Sequence, residues 1–308
     1  MVVAVHFRNY LKYGAYLVIH KENTTNYHFV QRCLGYLGNI IDCETLLMIS
    51  IITPTYNTPQ DILARTWGSL RSQTFKDWEW VVWDDSTNNE TWRQLYGFCS
   101  DERYKLAMHR SHVHSGSIGD VKRNGFMVAK GDILVELDHD DELMPDALQL
   151  IYDAFNESPD VGFVYSDWCE ILPDGQSGRY PEGWAFGYGS DYWDQEHGVW
   201  TMRAPELNTT TMRHIVSAPN HVRAWRADLY HALNGHDWTL KVADDYDLCV
   251  RTFLATKCLH IPKMIYKQHI SPKTAQRQHN ALIQENVGII AEKYRTFLDE
   301  KFDVLKTH

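Results

Sequence analysis

The spacing of apolar and polar positions divides this chain near residue 47. Residues 1–46 mix aromatic and polar side chains without a sustained period, and we interpret them as an N-terminal extension. From Met48 onward, short apolar runs alternate with amphipathic stretches. Strands that alternate with helices in this way favour parallel pairing with right-handed crossovers. The expected fold is therefore α/β, with a mostly parallel, twisted sheet flanked by helices.

The individual elements are predicted from two periods. Short apolar runs bounded by turn residues predict strands, and apolar positions three or four apart predict helices. Gly131 marks the end of one helix, since glycine commonly closes a helix. The predicted strands span 49–52, 80–83, 132–137, 161–165 and 260–266, and the predicted helices span 61–73, 90–99, 119–130, 145–156, 244–255 and 281–300.

The period disappears between about residues 173 and 219. This span is dense in glycine, proline, tyrosine and tryptophan, and it includes Trp184 and Trp200. A structureless segment of this length inside a domain is uncommon and is usually functional. Its aromatic side chains could form a small additional core, and the alternative is a functional loop.

Acidic side chains gather where two of the predicted strands end. Asp84 and Asp85 follow one strand, and the segment 136–142 adds five carboxylates after the apolar run 133–135. The carboxyl ends of parallel strands share one edge of a sheet, and ligands gather there. Grouped carboxylates repel one another unless a cation or solvent relieves them, and hard oxygen ligands suit Mg²⁺ or Mn²⁺. The alternative is a solvated loop with a helix N-cap.

Composition narrows the function classes. Against 30 basic side chains there are 40 acidic ones, and the formal net charge of −10 argues against a nucleic-acid groove. A negative protein that binds a phosphate ester needs local positive charge, which a divalent cation would supply.

The six cysteines form no CxxC pair and fit reduced thiols in the cytoplasm. No apolar stretch approaches about 18 residues, so we expect no transmembrane segment, and the N-terminus is not typical of a signal peptide.

Several polar side chains have simpler explanations than a site. The three histidines of the segment 109–114 match no common zinc spacing, and an exposed loop is the better interpretation. Arg223 and Arg226 could be surface groups in ion pairs. The acids of 244–247 could be first-turn residues that favour the start of a helix.

Four motifs stand in order along the chain: SIITPTYN at 50–57, VWDDS at 82–86, ELDHDD at 136–141 and DDYDL at 244–248. Each motif alone is weak, but the ordered series is specific. It resembles the family-2 glycosyltransferases with a GT-A fold, and the resemblance covers residues 48–275.

The resemblance implies a division of the chain. A Rossmann-like GT-A domain would occupy residues 47–275, with a nucleotide-binding half at about 47–170 and an acceptor half at about 171–275. The acceptor half contains the irregular, aromatic-rich span, which we favour as an acceptor or lid loop because sugar rings stack on Trp and Tyr faces. Residues 276–308 would form a C-terminal helix.

The resemblance also implies roles, position by position. The catalytic base would be Asp245, although the family's Glu-Asp pair is Asp-Asp here and leaves Asp244 as the other candidate. The implied metal ligands are Asp140, Asp141 and His269. The implied acceptor side comprises Trp184, Trp225 and Arg226. The residues implied to bind the nucleotide-sugar are Pro54, Tyr56, Asp84, Asp85, Lys122, Arg123 and Asp138.

The implied activity is a metal-dependent, inverting transfer of a hexose from a UDP-sugar to a glycan or other hydroxyl acceptor, with Mn²⁺ or Mg²⁺ as cofactor. A carboxylate base on the far face of the sugar ring makes such a displacement in-line. Two alternatives stay open: a non-catalytic nucleotide-sugar or glycan-binding protein of the same fold, and a sugar-phosphate nucleotidyltransferase. The latter would need a glycine-rich phosphate loop near the first strand, and residues 53–57 contain no glycine.

Overall fold

The fold is built on a mixed sheet in which most neighbouring strands of the main order are parallel. The computed structural model describes residues 47–99, 104–216, 218–271 and 280–306, with side chains to residue 301. The predicted N-terminal extension at 1–46 therefore lies outside the described residues. The strands are β1 (Ile49–Thr55), β2 (Trp78–Asp84), β3 (Lys105–Arg110), β4 (Ile133–Glu136), β5 (Glu142–Leu143), β6 (Val161–Ile171), β7 (Ser190–Asp194), β8 (Val199–Arg203), β9 (Arg223–Arg226) and β10 (Lys257–His269).

The strand order brings several carboxyl ends to one edge of the sheet. The order is β3-β2-β1-β4-β9-β6-β10-β5. Strand β9 is antiparallel to both β4 and β6, and β5 is antiparallel to β10, whereas the remaining neighbours in this order are parallel. Strands β1 and β4 are buried almost throughout, as expected for parallel strands covered on both faces. The predicted α/β fold with a mostly parallel sheet is confirmed.

Helices cover the sheet and hold its edges. Helix α3 packs on β1 and β2 at very short range, because a Cβ atom on Gly125 would lie only 2.8 Å from Cγ2 of Ile52. The Ser117 hydroxyl caps this helix by accepting from the Asp120 N–H (3.4 Å). The helices are α1 (Gln60–Arg71), α2 (Glu90–Phe98), α3 (Ile118–Val128), α4 (Ala147–Glu157), α5 (Thr209–His214), α6 (Ala227–Ala232), α7 (Asp244–Ala255) and α8 (Asn280–Lys306).

The last helix packs against the helix that begins with the paired acids. Asp247 of α7 is buried and accepts hydrogen bonds from the Tyr294 hydroxyl (2.9 Å) and the Lys293 ammonium (3.1 Å) of α8. The Asn286 side chain donates to the Val242 carbonyl, just before α7 (3.0 Å). The two helices share an apolar cluster with α5, formed by Met212, Tyr246, Val250, Ile290, Tyr294 and Leu298.

The aromatic-rich span contains more regular structure than its sequence pattern indicates. The prediction that residues 173–219 are irregular is wrong in part: β7 and β8 form a hairpin, and α5 follows it. Strand β8 joins the main sheet through the pairing of Met202 with Trp168. These strands are short and mostly half-buried, so their sequences carry no clear apolar period. Strand β3 was missed for a related reason, since its residues are mostly half-buried at the edge of the sheet.

The cysteines and the apolar character of the helices bear on the compartment and membrane expectations. Cys99, Cys169, Cys249 and Cys258 are free thiols. Of the helices in the described ranges, none has both the length and the apolar character needed to cross a bilayer.

Candidate active site

Asp84 and Asp85 end β2, but they face different partners. The buried Asp84 carboxylate accepts from the Thr55 hydroxyl at the end of β1 (3.1 Å) and from the Ser86 N–H (3.2 Å). Arg110 lies 3.5 Å away. These contacts fix the turn after β2. Of the two acids predicted to bind nucleotide, Asp84 therefore already has protein partners for its carboxylate.

Asp85 belongs to a small group that the sequence pattern did not assemble. Its carboxylate accepts from the Ser115 N–H (3.1 Å) and is hydrogen-bonded to Nδ1 of His114 (2.7 Å). The imidazole stacks on Tyr56, with ring centroids 4.7 Å apart. Tyr56 is 47% exposed and follows β1, where Pro54 is half-buried. The predicted exposed loop of histidines is therefore incomplete as a description, because His114 joins Asp85 and Tyr56.

Lys122 and Arg123 are neighbours in α3, yet only Lys122 faces the acids. Its ammonium contacts the buried Glu136 carboxylate and lies 3.9 Å from Oδ1 of Asp138. Burial opposes the charge of Lys122, but Glu136 and Asp138 outweigh it and raise its pKa. Arg123 instead donates to the Asn234 side chain (2.9 Å) and to the backbone of the same loop. Of this predicted pair, Lys122 is the one at the site.

Two carboxylates and an imidazole meet beyond the end of β4. Ligand atoms of Asp138, Asp141 and His221 all lie within 4.8 Å of one another. The Tyr266 hydroxyl donates to Asp141 (2.7 Å), and the Tyr266 ring stacks on His221 with centroids 4.5 Å apart. The backbone N–H of His269 donates to the other oxygen of Asp141 (2.8 Å).

The charges of this group fit a divalent cation. Burial, together with the nearby carboxylates of Asp140 and Asp138, raises the pKa of Asp141 well above its ordinary value. Burial and Arg223 lower the pKa of His221 to about 4, so its imidazole is neutral and can offer a lone pair. Its buried Nδ1 atom has no hydrogen-bond partner within the described chain. Two carboxylates with a neutral imidazole suit Mn²⁺ or Mg²⁺.

Two of the three implied metal ligands lie outside this group. The backbone carbonyl of Asp140 accepts from Arg65 (2.6 Å), and its side chain is not among the three converging ligands. The His269 imidazole is 2.7 Å from Glu142. Asp141 alone is common to the implied set and the observed group, and Asp138, implied as a sugar-nucleotide contact, lies within it.

The two acids that begin α7 differ in access. Asp244 is buried, and burial, opposed in part by Lys122, raises its pKa to about 7. The Asp245 side chain is 33% exposed and accepts from Arg223 (2.9 Å). Burial opposes ionisation of Asp245, but Arg223 and Lys122 outweigh it and lower its pKa. Between the two candidates for a base, Asp245 is the one whose carboxylate is exposed.

The implied acceptor residues are mostly structural. Trp225 is 1% exposed, and its indole N–H donates to the Thr252 hydroxyl (3.0 Å). Arg226 donates to the carbonyls of Val161 (2.8 Å) and Phe155 (2.6 Å). Trp225 therefore has no exposed face that an acceptor could contact, and Arg226 holds β9 to the end of α4. Trp184 is half-buried and stacks on Tyr180 at 4.3 Å.

Three residues at the site had no usable signal in the sequence. His114 was interpreted as part of an exposed loop, His221 follows the aperiodic span 173–219, and for Arg223 an ion-paired surface group was one open interpretation. Their partners come from other strands and helices, so neither period nor local motif could indicate them. The available hint was that Arg223 and Arg226 flank the apolar pair Ala224 and Trp225.

A mostly parallel sheet that carries acids beyond the carboxyl ends of its strands fits the GT-A class of glycosyltransferases. The profile described as "Glycosyl transferase family 2" matches residues 50–206, about half of the chain. The chain belongs to that family. Asp245 lies beyond the matched residues.

Curated relatives and solved structures are consistent with this assignment. The chain is 26% identical to the chondroitin synthase of Pasteurella multocida over 84% of its own length, and 23% identical to an uncharacterized protein of Sinorhizobium fredii over 76%. It spans about a quarter of each of these relatives. Staphylococcus aureus TarS 1–349 in complex with UDP superposes with a TM-score of 0.57 at 18% identity, covering 79% of this chain and 65% of that one. GalNAc-T7 with UDP, GalNAc and Mn²⁺ gives a TM-score of 0.57 at 17% identity, covering 75% and 45%.

Proposed function

We propose that this protein is a metal-dependent, inverting glycosyltransferase that moves a hexose from a UDP-sugar to a hydroxyl acceptor, such as a glycan. One observation carries the proposal: the group formed by Asp138, Asp141 and His221 is connected to Asp245 by a continuous row of charged side chains. This row would place a site for a diphosphate next to a site for a base. The relatives add support, since they include a chondroitin synthase and a hyaluronan synthase.

The uridine is proposed to bind at the ends of β1 and β2. Tyr56 offers an exposed aromatic face there, and Asp85 offers a fixed carboxylate oxygen that can accept from a base N–H. Pro54 lies beside them in β1, and Lys122 is the basic residue on the diphosphate side. TarS was solved with UDP and with UDP-GlcNAc, and GalNAc-T7 with UDP, which supports a uridine donor for this fold.

Asp138, Asp141 and His221 would hold Mn²⁺ or Mg²⁺. When bound, the ion would neutralise the negative charge of the departing diphosphate. The protein's contribution is to fix the ligands: Tyr266 orients both Asp141 and His221, and Thr66 donates to the carbonyls of this turn. Asp140 would help to hold the turn beside this group, since its carbonyl accepts from Arg65. His269 would help to hold Asp141 through its backbone N–H.

Asp245 is proposed as the general base. Its exposed carboxylate would accept the proton of the acceptor hydroxyl while that oxygen attacks the anomeric carbon from the face opposite the diphosphate, which inverts the configuration. Because Arg223 and Lys122 lower the pKa of Asp245, its action would depend on position more than on basicity. Asp244, buried behind it, would support the geometry without touching the acceptor.

The organisation of the chain is proposed in the same terms. Residues 47–170 would supply most of the donor site, to which His221 adds a metal ligand. Residues 171–275 would otherwise shape the acceptor side, with Trp184 there, and α8 would be an added helix. The four free thiols of the described chain support a cytoplasmic location.

The test is a screen for nucleotide release from UDP-, GDP- and dTDP-sugars with Mn²⁺, together with thermal shifts by UDP. We expect release from a UDP-sugar, and stabilisation by UDP that is larger with Mn²⁺ than with EDTA. Asp245→Asn should lower release by about 100-fold or more and keep the UDP affinity within about threefold, since an amide preserves shape but accepts no proton. Stabilisation that ignores the metal would contradict the cation site, and UDP binding without release from any sugar would favour the non-catalytic alternative.

A further inference from the structure

Arg223 lies buried between two carboxylates that belong to different parts of the site. Its Nη1 atom is 2.9 Å from Oδ2 of Asp245 and 3.5 Å from Oε2 of Glu136. Its Nε–H donates to the Pro219 carbonyl (3.3 Å), which fixes the plane of the guanidinium. The side chain is 4% exposed, so it is an internal connection and not a surface group.

The sheet itself brings Arg223 to this position. Arg223 of β9 is paired directly with Glu136 of β4, and directly opposed residues of an antiparallel pair point to the same face. Asp245 reaches the same guanidinium from the first turn of α7, above that face. The contact with Asp245 therefore depends on both the strand register and the docking of α7.

Arg223 is part of an alternating row of charges. From the candidate metal group the row runs from Asp138 to Lys122 (3.9 Å), then to Glu136, to Arg223 (3.5 Å) and to Asp245 (2.9 Å). Buried charges are tolerated when each has an opposite neighbour with good geometry, and removing one partner leaves the others unpaired. Each interior member of this row has an opposite charge on both sides.

We propose that Arg223 is the positioning residue of the base Asp245, tying its carboxylate to Glu136 and so to the donor side of the site. The proposal rests on the proposed function of Asp245. The planar guanidinium, held by the Pro219 carbonyl, presents a donor to both carboxylates. Lysine cannot reproduce this, because its ammonium is a point charge on a flexible stem.

The test compares Arg223→Lys with Arg226→Lys, two residues of the same strand. Nucleotide release from the UDP-sugar found active is measured with Mn²⁺, and UDP affinity is measured separately. For Arg223→Lys we expect kcat to fall by about 100-fold, as for a misplaced catalytic group, and the UDP Kd to change by less than about threefold. Arg226 donates to the backbone carbonyls of Val161 and Phe155. Arg226→Lys should therefore destabilise the fold while kcat stays within about threefold.

A positioning role also predicts non-additivity. Once Asp245→Asn has removed the base, adding Arg223→Lys should lower the residual kcat by less than about threefold. Two losses that multiply fully would overturn the proposal, as would an Arg223→Lys variant with unchanged kcat. If the lysine variant does not fold, Arg223→Gln takes its place in the same comparison.

A double-mutant cycle of unfolding free energies, measured in urea, separates this inference from the proposed function. If the wild-type protein releases nucleotide from no sugar, the proposed function fails, but the unfolding free energies of Arg223→Lys, Asp245→Asn and the double variant still report their coupling. A measurable coupling supports the Arg223–Asp245 contact. Additive losses would remove the contact and the proposal with it.

Discussion

The Oδ2 atom of Asp138 lies 3.7 Å from the Nε2 atom of His221, although the two residues come from opposite halves of the chain. His221 stacks on Tyr266, and the Tyr266 hydroxyl is bonded to Asp141, so one tyrosine orients two members of the group. The imidazole of this candidate group is that of His221, whereas the motif resemblance implied His269 as a ligand.

Which of the two histidines is a metal ligand can be tested by substituting each of them in turn. His221→Ala should weaken the apparent Mn²⁺ affinity, read from UDP-dependent thermal shifts, by about tenfold or more, because it removes a neutral ligand atom. The matched control is His269→Ala, which keeps the backbone N–H that bonds Asp141 and should change the affinity by less than about threefold. The reverse ranking would show that His269 is the ligand.

Asp244 should make the protein less stable as the pH rises. Its pKa is raised by burial to about 7 in the folded protein, above the ordinary value of 3.8, so the folded state binds the extra proton. The loss of stability caused by ionising Asp244 is absent below the ordinary pKa of 3.8 and grows as the pH rises from 3.8 to about 7. Above about pH 7 the loss is complete. Asp244→Asn should therefore raise the melting temperature at about pH 8 and have little effect near pH 4.

Asp245 provides the matched control with the opposite sign. Arg223 and Lys122 outweigh burial and lower its pKa, so its charge stabilises the fold above the ordinary pKa of an aspartate and this contribution disappears as the pH falls through the lowered value. Asp245→Asn should lower the melting temperature at about pH 8, and the loss should shrink in acid. Parallel pH profiles for the two variants would contradict the assignment.

The hydroxyl of Tyr294 should stabilise the contact between α7 and α8. It donates to Asp247, which is 1% exposed and also contacts Arg251 and Lys293. Tyr294→Phe should lower the unfolding free energy in urea by about 1–3 kcal/mol, since a hydrogen bond to a buried charge is lost. Tyr96→Phe, at a residue 72% exposed, should change it by less than about 0.5 kcal/mol. Equal effects would mean that the Asp247 contact contributes nothing.

His114 should contribute to UDP binding through its hydrogen bond to Asp85 more than through its ring. His114→Asn keeps a donor near the carboxylate and should hold the UDP Kd within about threefold, whereas His114→Phe keeps the stacking ring and should weaken binding by about tenfold. Isothermal titration with UDP gives both values. If the phenylalanine variant binds as well as the wild type, the stacking on Tyr56 is the contact that matters.

The sequence by itself determined the sheet and the acidic strand ends. Apolar runs such as 49–52 and 133–135 must be buried on both faces, and the helices between them must cross over, so local periods were enough to indicate an α/β fold. The acids after β2 and β4 could be located for the same reason. A carboxylate that follows a buried strand lies at the strand's end, whatever the rest of the fold does.

Only the tertiary structure decided which side chains meet there. Arg223 faces Asp245 because β9 inserts between β4 and β6 and α7 docks above it, and Trp225, two residues later, is turned into the core by the same strand. His221 joins Asp138 and Asp141 through Tyr266 of β10. Such pairings join segments far apart in sequence, and a local pattern records the periodicity of one segment but not the identity of the segment that packs against it.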